Sequence, residues 1–437
     1  MRSITIALLL AVAATAYADD RAQLLPPFDF GIPVVQTVVA ADCDISSLVW
    51  PFVTGDGVWL NFTCAETHWF VMARNSNRGL IVGPVYLQRS PGEAGIQIPK
   101  MANIAEIFTP YHTGNPDHRL SDTVHCTVDN ATATFDPSDV GSNAILIKPA
   151  VPASASKPTI AAEIRDRGIA WLCKSPNGSK SRRGAEMVLW GIWDTGNYEY
   201  LIEYTFRDDG QISFRVGATG YNNPGIGTDV AHMHDVLWHI DIDLGTGLNT
   251  PYVWSHYEAS LPAFDSEILF NNGREGAMDL DPLHFSTLVV EDQTLNKPGN
   301  HIGYEFQPFR TGTARHYGPG EDWTLHDTWV TRYSEAELTV AMNGPESLWS
   351  PPDKYLVGDK DNLFGVFNQE KVVGQDIVVW HLASAHHDPH DEDQAAGDNG
   401  HKGITLIHWS GFDLVPHNLF DANPLGAPHR KICDGGD

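Results

Sequence analysis

Two histidines one residue apart, His232-Met233-His234, are the first feature able to do chemistry. On a strand, residues i and i+2 point to the same face, so the two imidazoles stand side by side. Imidazole suits copper, zinc, iron or nickel. A third ligand could come from His386-His387-Asp388-Pro389-His390-Asp391-Glu392-Asp393, which follows an apolar run. By itself that segment reads equally as a solvated acidic loop. Asp241-Ile242-Asp243 places its aspartates seven and nine residues after His234, and Asp376 lies eleven before His387. These separations are odd, so on unbroken strands the aspartates face away from the histidines. Oxygen ligands on that second face would suit a hard ion such as calcium. Ordinary surface aspartates would show the same spacing, and a bulge would break the parity.

Strands must position these groups. Tyr198-Glu199-Tyr200-Leu201-Ile202-Glu203-Tyr204-Thr205-Phe206 is β-rich, Asp208-Asp209-Gly210 is a turn, and Gln211–Val216 returns. Asp-Gly between such runs is a strong hairpin signal. Gly79–Leu87, His232–Leu244, Asp376–Leu382 and Gly403–Trp409 also read as strands, residues 136–165 as loop, and Ser334–Val340 as a short helix. No heptad or internal repeat is present. With 39 Gly, 28 Pro and 13 Trp, the composition favours a turn-rich β protein. The expected organisation is a mainly β fold, a large antiparallel β-sandwich with few short helices over residues 75–425. A leader at 19–74 and a tail at 426–437 flank it.

The chain has 437 residues, and 55 acids against 28 bases leave a net charge of −27. Nucleic acid is excluded as the partner, because phosphate binding needs Lys and Arg. The field would draw in a cationic small molecule, or the charge serves solubility alone. A hydrophobic fraction of 42% with 19% charged residues rules out wholesale disorder. Met1-Arg2-Ser3, an apolar run to Ala14 and Ala16-Tyr17-Ala18 form a secretory signal pattern, so residues 1–18 are expected to be cleaved. No other stretch approaches the roughly 20 apolar residues of a membrane span. Sequons at Asn61, Asn130 and Asn177 fit an exported glycoprotein. The five cysteines are Cys43, Cys64, Cys126, Cys173 and Cys433. In an oxidising compartment they are expected to form disulfides. Nearest-neighbour pairing gives Cys43–Cys64 and Cys126–Cys173, but sequence does not fix connectivity.

Asp194-Thr195-Gly196-Asn197-Tyr198-Glu199-Tyr200, followed by His-x-His, resembles the copper amine oxidases, whose motif is Thr-x-x-Asn-Tyr-(Asp/Glu)-Tyr. Further likenesses follow in chain order. Asp376-Ile377-Val378-Val379-Trp380 resembles the family's Asp-Ile-Val-x-Trp. His387–Asp393 resembles its His-x-Pro-Arg-x-Glu-Asp, and Glu106–Tyr111 its Glu-x-x-x-Pro-Tyr. The likeness spans roughly residues 75–425. It implies the family's catalytic-domain sandwich, with Tyr198 becoming topaquinone and His232, His234 and His387 holding copper. It also implies a calcium-like second metal at Asp241, Ile242, Asp243, Asp376 and Ile377, the isoleucines through their carbonyls. Tyr111 resembles the tyrosine that hydrogen-bonds the quinone, Asn197 the residue that orients it, and Cys126–Cys173 a family disulfide. The implied activity is oxidation of primary amines by oxygen to aldehyde, ammonia and hydrogen peroxide, in a secreted enzyme that can form a homodimer.

The chain departs from the pattern in several places. Asp194 replaces the motif's leading Thr, while His390 and His239 stand where the family has Arg. The segment between Tyr111 and Cys126 is shortened where the family keeps its catalytic aspartate. Asp122 is the candidate base there; a competing alignment puts His112 in its place. Two rival readings follow: a secreted binding or structural protein on the same fold without turnover, and a three-histidine zinc hydrolase. The second leaves Asn197-Tyr198-Glu199-Tyr200 unexplained.

Overall fold

The computed structural model describes residues 36–37, 43–50, 57–64, 67–76, 79–90, 92–109, 132–149, 153–175, 178–195, 198–221, 231–257, 264–309, 322–334, 368–393 and 404–426. The strands of the first half are β1 (Gln36–Thr37), β2 (Cys43–Trp50), β3 (Gly57–Cys64), β4 (Thr67–Ser76), β5 (Gly79–Gln88), β6 (Ile96–Gln97), β7 (Pro99–Phe108), β8 (Ile145–Ile147), β9 (Ile160–Ser175), β10 (Gly178–Asp194), β11 (Tyr198–Arg207) and β12 (Ile212–Gly220). They continue as β13 (His232–Ile242), β14 (Asn249–Tyr257), β15 (Phe264–Leu269), β16 (Gly276–Met278), β17 (Thr287–Leu295), β18 (His301–Pro308), β19 (Thr328–Arg332), β20 (Ile377–His387) and β21 (Thr405–His417). Among the described residues the helical segments are short 3-10 turns, such as Asp322–Leu325 and Asp391–Asp393. None is long and apolar enough to cross a membrane.

Two sheets result. The first runs β1-β2-β3-β4-β5-β7-β13-β20-β19-β16, with β6 on β5; the second runs β15-β14-β17-β18-β21-β12-β11-β10-β9-β8. The pairings are antiparallel. Their facing sides make one core. β13 contributes Val236, Trp238, Ile240 and Ile242, β20 contributes Ile377, Val379 and Ala383, and β11 contributes Tyr198 to Phe206 at alternate positions. The opposite face of β13 and β20 is also dry, because Leu237, Val378, Trp380 and Leu382 pack with Ala105 and Trp329. Every residue of β13 is therefore buried. Polar bonds fix the sheets to each other. The Trp69 indole donates to the Arg207 carbonyl at 2.8 Å, and the Tyr204 hydroxyl to that of Leu80 at 2.9 Å.

The expected sandwich and the hairpin at Asp208-Asp209-Gly210 are present, with Tyr204 opposite Phe214. The expected leader at 19–74 is corrected. β2, β3 and β4 belong to the first sheet, so it continues well before residue 75. Cys43 and Cys64 face each other across β2 and β3 and form a disulfide. Residues 136–165 are not wholly loop. Ile145 and Ile147 bury their side chains in the edge strand β8, a short alternation that the surrounding Pro and Ser obscure. Cys173 is disulfide-bonded, and Cys126, its expected partner, lies outside the described residues. So do residues 1–18 and almost all of the expected helix at Ser334–Val340. Of the sequons, Asn61 is half-buried mid-strand with its amide 3.4 Å from Ser46 Oγ, while Asn130 and Asn177 are outside the described residues.

The close approach of β5 to β7 depends on Gly83. Its φ is +122°, and a Cβ there would lie 2.4 Å from the Lys100 carbonyl oxygen and 2.7 Å from Met101 Cα. Both neighbours are backbone, so neither can swing away. Gly83→Ala should lower stability by roughly 2–4 kcal/mol, from overpacking and backbone strain together. Urea unfolding checks this, and an unchanged midpoint would contradict it.

Candidate active site

β13 pairs with β20 in a register that sets His232 opposite His387. His234 follows on the same face as His232, two residues along. One ligand nitrogen from each of these three buried histidines lies within 4.8 Å of the others. β11, in the facing sheet, presents Tyr198 and Tyr200 to them. The Tyr198 hydroxyl lies 3.0 Å from His232 Nε2 and 3.1 Å from His387 Nδ1, and those two nitrogens are 3.4 Å apart. Tyr200 places its hydroxyl 3.0 Å from His234 Nδ1. The ring of Tyr198 stands edge-on to that of His234, with centroids 4.6 Å apart. Just before β11, the Thr195 amide and hydroxyl both donate to the Tyr198 carbonyl, at 2.9 and 2.8 Å. These two bonds tie Thr195, just after β10, to the first residue of β11.

Burial depresses the His234 pKa well below its ordinary value, and the neighbouring His232, His387 and His408 add to the effect. Burial thus favours the neutral ring, the form with a lone pair that a metal could accept. His387 is set by its other nitrogen. Its Nε2 lies 3.0 Å from Asp393 Oδ2, and a carboxylate only accepts, so Nε2 carries a proton and Nδ1 is the nitrogen turned toward Tyr198. Burial works to raise the Asp393 pKa, but the His390 amide and His387 hold it below the usual range. The His408 ring, on β21, lies 4.8 Å from that of His387.

The donor set fits a copper or zinc ion. His234 Nε2 is buried and has no hydrogen-bond partner among the described residues, while His232 Nε2 and His387 Nδ1 meet at one hydroxyl. Such an orphaned imidazole nitrogen is costly unless something accepts its lone pair. His232 and His234 thus stand together as their spacing anticipates, and His387, the third ligand that the family resemblance implies, lies with them.

The aspartates lie on the other face, as parity requires. Oxygens of Asp241, Asp243 and Asp376 are within 4.8 Å of one another. Ile242 and Ile377 face each other across the ladder with their side chains in the core. Burial pushes the Asp241 carboxyl well up, Lys100 opposes this, and Asp243 and Asp376 reinforce it. The Lys100 ammonium lies 3.7 Å from Asp241, 3.8 Å from Asp243 and 4.0 Å from Asp376. Asp122, Tyr111, His112 and Asn197 lie outside the described residues. Sequence reasoning missed Tyr200, Asp393, His408 and Lys100 as site residues. Period 2 from Tyr198 would have found Tyr200. His408 is visible only through the sheet order, by way of Ala218, which faces both Tyr200 and His408.

With that geometry in view, the comparisons are specific. The family described as "Copper amine oxidase, enzyme domain" matches residues 163–432, more than half of the chain. The chain belongs to the copper amine oxidase family. It is 25% identical over 295 residues to "Amine oxidase [copper-containing] gamma 2" of Arabidopsis thaliana, covering 56% of this chain and 39% of that protein. It is 25% identical over 303 residues to "Histamine oxidase" of Arthrobacter globiformis, covering 59% of this chain and 40% of the relative. The chain thus spans about two-fifths of the length of these relatives. Its fold is that of a copper-containing benzylamine oxidase from Hansenula polymorpha, with TM-score 0.63 and 18% identity over 84% of this chain and 61% of the other.

Two outcomes test the site. Asp393→Ala removes the acceptor for His387 Nε2, so copper affinity should fall by about 10–100-fold while the fold persists. Calorimetric copper titration reads this directly, and unchanged affinity would mean that Asp393 does not orient His387. Asp235, next to His234 but on the opposite face, is fully buried, and burial raises its pKa to about 7 against the stabilising Ser384 hydroxyl. A carboxyl raised in the folded state binds more protons there than when unfolded, so its destabilising effect grows from about pH 4 to 7 and is full above. Asp235→Asn should therefore match wild type near pH 4 and exceed it by on the order of 2–4 kcal/mol at pH 8. Denaturant curves at the two pH values check the sign.

Proposed function

We propose that this chain is a secreted copper amine oxidase that carries topaquinone formed from Tyr198 and oxidises primary amines with oxygen, giving aldehyde, ammonia and hydrogen peroxide. The observation that carries the reading is the Tyr198 hydroxyl set between His232 Nε2 and His387 Nδ1, at 3.0 and 3.1 Å. A zinc hydrolase needs a water among its histidines and has no use for a buried tyrosine there; here Tyr198, from the facing sheet, stands against two of the three histidines. His232, His234 and His387 would hold copper, which supplies the redox-active ion for oxidising the tyrosine ring with oxygen. Tyr200 steadies His234, Asp393 steadies His387, and Thr195 anchors the backbone of Tyr198. Tyr198 is 1% exposed, so bulk water is kept from the ring.

By the family resemblance, Asp122 is the base that removes the substrate proton, Tyr111 hydrogen-bonds the quinone oxygen and Asn197 holds the ring. The net charge of −27 favours a cationic amine over neutral or anionic substrates. The names of the relatives, among them a histamine oxidase and a benzylamine oxidase, support amines as the class without selecting one.

Peptide mass mapping of copper-loaded, aerated protein should show Tyr198 modified, and an unmodified Tyr198 would sink the proposal. Asp122→Asn should cut hydrogen peroxide release from primary amines by about 10²–10⁴-fold while phenylhydrazine still titrates the quinone. Normal turnover in Asp122→Asn together with loss in His112→Ala would move the base to the competing alignment. A wild type that carries the quinone and oxidises no amine in a broad panel would instead support a non-catalytic protein on this fold.

A further inference from the structure

The aspartate set on the outer face of β13 has the residues of an oxygen-ligand metal site, yet a side chain of the protein already reaches it. Lys100 Nζ lies 3.7, 3.8 and 4.0 Å from Oδ2 of Asp241, Asp243 and Asp376. The same ammonium lies 4.3 Å from the ring centroid of Tyr333, a cation–π contact. Three carboxylates and one aromatic face therefore converge on one cation. The Gln97 amide donates to Asp243 Oδ2 at 3.1 Å, so the oxygen facing Lys100 has a second donor.

The backbone is built to deliver this lysine. Along β7, Met101 faces Asp241 and Pro99 faces Ile242, so Lys100 is an extra residue at a break in register. A bulge of this kind sets two residues against one and re-aims a side chain. Without it, Lys100 would alternate to the opposite face from Met101 and leave the aspartates. The bulge in turn needs Gly83, because a Cβ there would strike the Lys100 carbonyl at 2.4 Å.

A calcium ion would sit about 2.3–2.6 Å from the carboxylate oxygens. That would put it within a few ångströms of Nζ, charge against like charge. The residues do not fit a calcium ion while Lys100 is in place. We propose that Lys100 is the resident cation of this site: its ammonium balances the aspartates as a second metal ion would, and the site takes up no calcium. The lysine thereby ties β7 to the end of β13 and to Asp376, just before β20. Those are the two strands whose far ends carry His232, His234 and His387.

The test uses the intact chain in calcium-free buffer and in about 1 mM calcium at neutral pH. Equilibrium dialysis with metal analysis should find no calcium retained at the aspartates of the wild type, and its Tm should be the same in both buffers. Lys100→Met removes the charge and keeps most of the stem. It should melt at least about 2 °C lower without calcium, bind about one calcium per chain, and recover when the ion is added. Should Lys100→Met fold poorly in calcium-free buffer, the readout is its refolding yield, which calcium should restore. A wild type that retains one calcium and loses it on Asp241→Asn would overturn the proposal. So would a Lys100→Met protein whose calcium binding, Tm and refolding yield are all indifferent to calcium.

Discussion

A one-residue slip of β13 against β20 would dismantle both polar sites at once. The register puts His232 opposite His387, and eleven pairs along the same ladder end with Ile242 opposite Ile377. Because side chains alternate strictly, a slip would carry the histidines to the outer face and Asp241 into the apolar core. Neither outcome is tolerable: the core would gain a desolvated carboxylate, and the imidazoles would lose Tyr198 and Tyr200. The register is in turn enforced by apolar packing on both sides of β13, with Trp238 and Ile240 inward and Leu237 outward. Chemistry and packing thus select the same pairing.

The two faces solve different electrostatic problems. Toward the core stand three imidazoles, two phenols and the Thr195 hydroxyl, held apart from water. Neutral imidazole with an orphaned nitrogen is the form that can give a lone pair to a metal, and burial stabilises that form over imidazolium. On the outer face the aspartates are met by a lysine that stays partly in water, so its charge is kept while its stem is packed. One strand can serve both purposes only because sheets separate odd from even positions.

That separation is why much of the site is legible in the sequence. His232 and His234 at i and i+2, and the odd offsets to Asp241 and Asp243, need nothing but a straight strand. The Asp-Gly turn gives the β11–β12 hairpin by local chemistry alone. Legibility ends where position depends on a distant strand. Lys100 reaches the aspartates through a bulge in β7, and no local pattern announces a bulge. His408 approaches His387 only because β21 lies beside β12. The strands from Cys43 to Ser76 look like a leader because Pro and polar residues interrupt them, yet the Cys43–Cys64 pairing and their neighbours in the sheet show where they belong.

The departures from the family pattern become intelligible once the working atoms are identified. At position 390 the group that serves the site is a backbone amide, which donates to Asp393 Oδ2 at 2.8 Å. Histidine supplies that N–H as well as arginine would, so the exchange leaves the support of His387 intact. At position 239 the side chain is wholly buried, with its ring 4.7 Å from that of Trp380. A neutral imidazole can lie edge to face against an indole there, whereas a guanidinium would bring a permanent charge requiring its own partner. At position 194 the residue ends β10 opposite Glu199, and the hydroxyl that holds the Tyr198 carbonyl comes from its neighbour Thr195. At 390 and 194 the altered side chain lies beside a contact that backbone or a neighbour makes, and at 239 it packs against Trp380 on the face away from the histidines. The residues whose own side-chain atoms meet at the centre, Tyr198, His232, His234 and His387, are those at which the chain keeps the pattern.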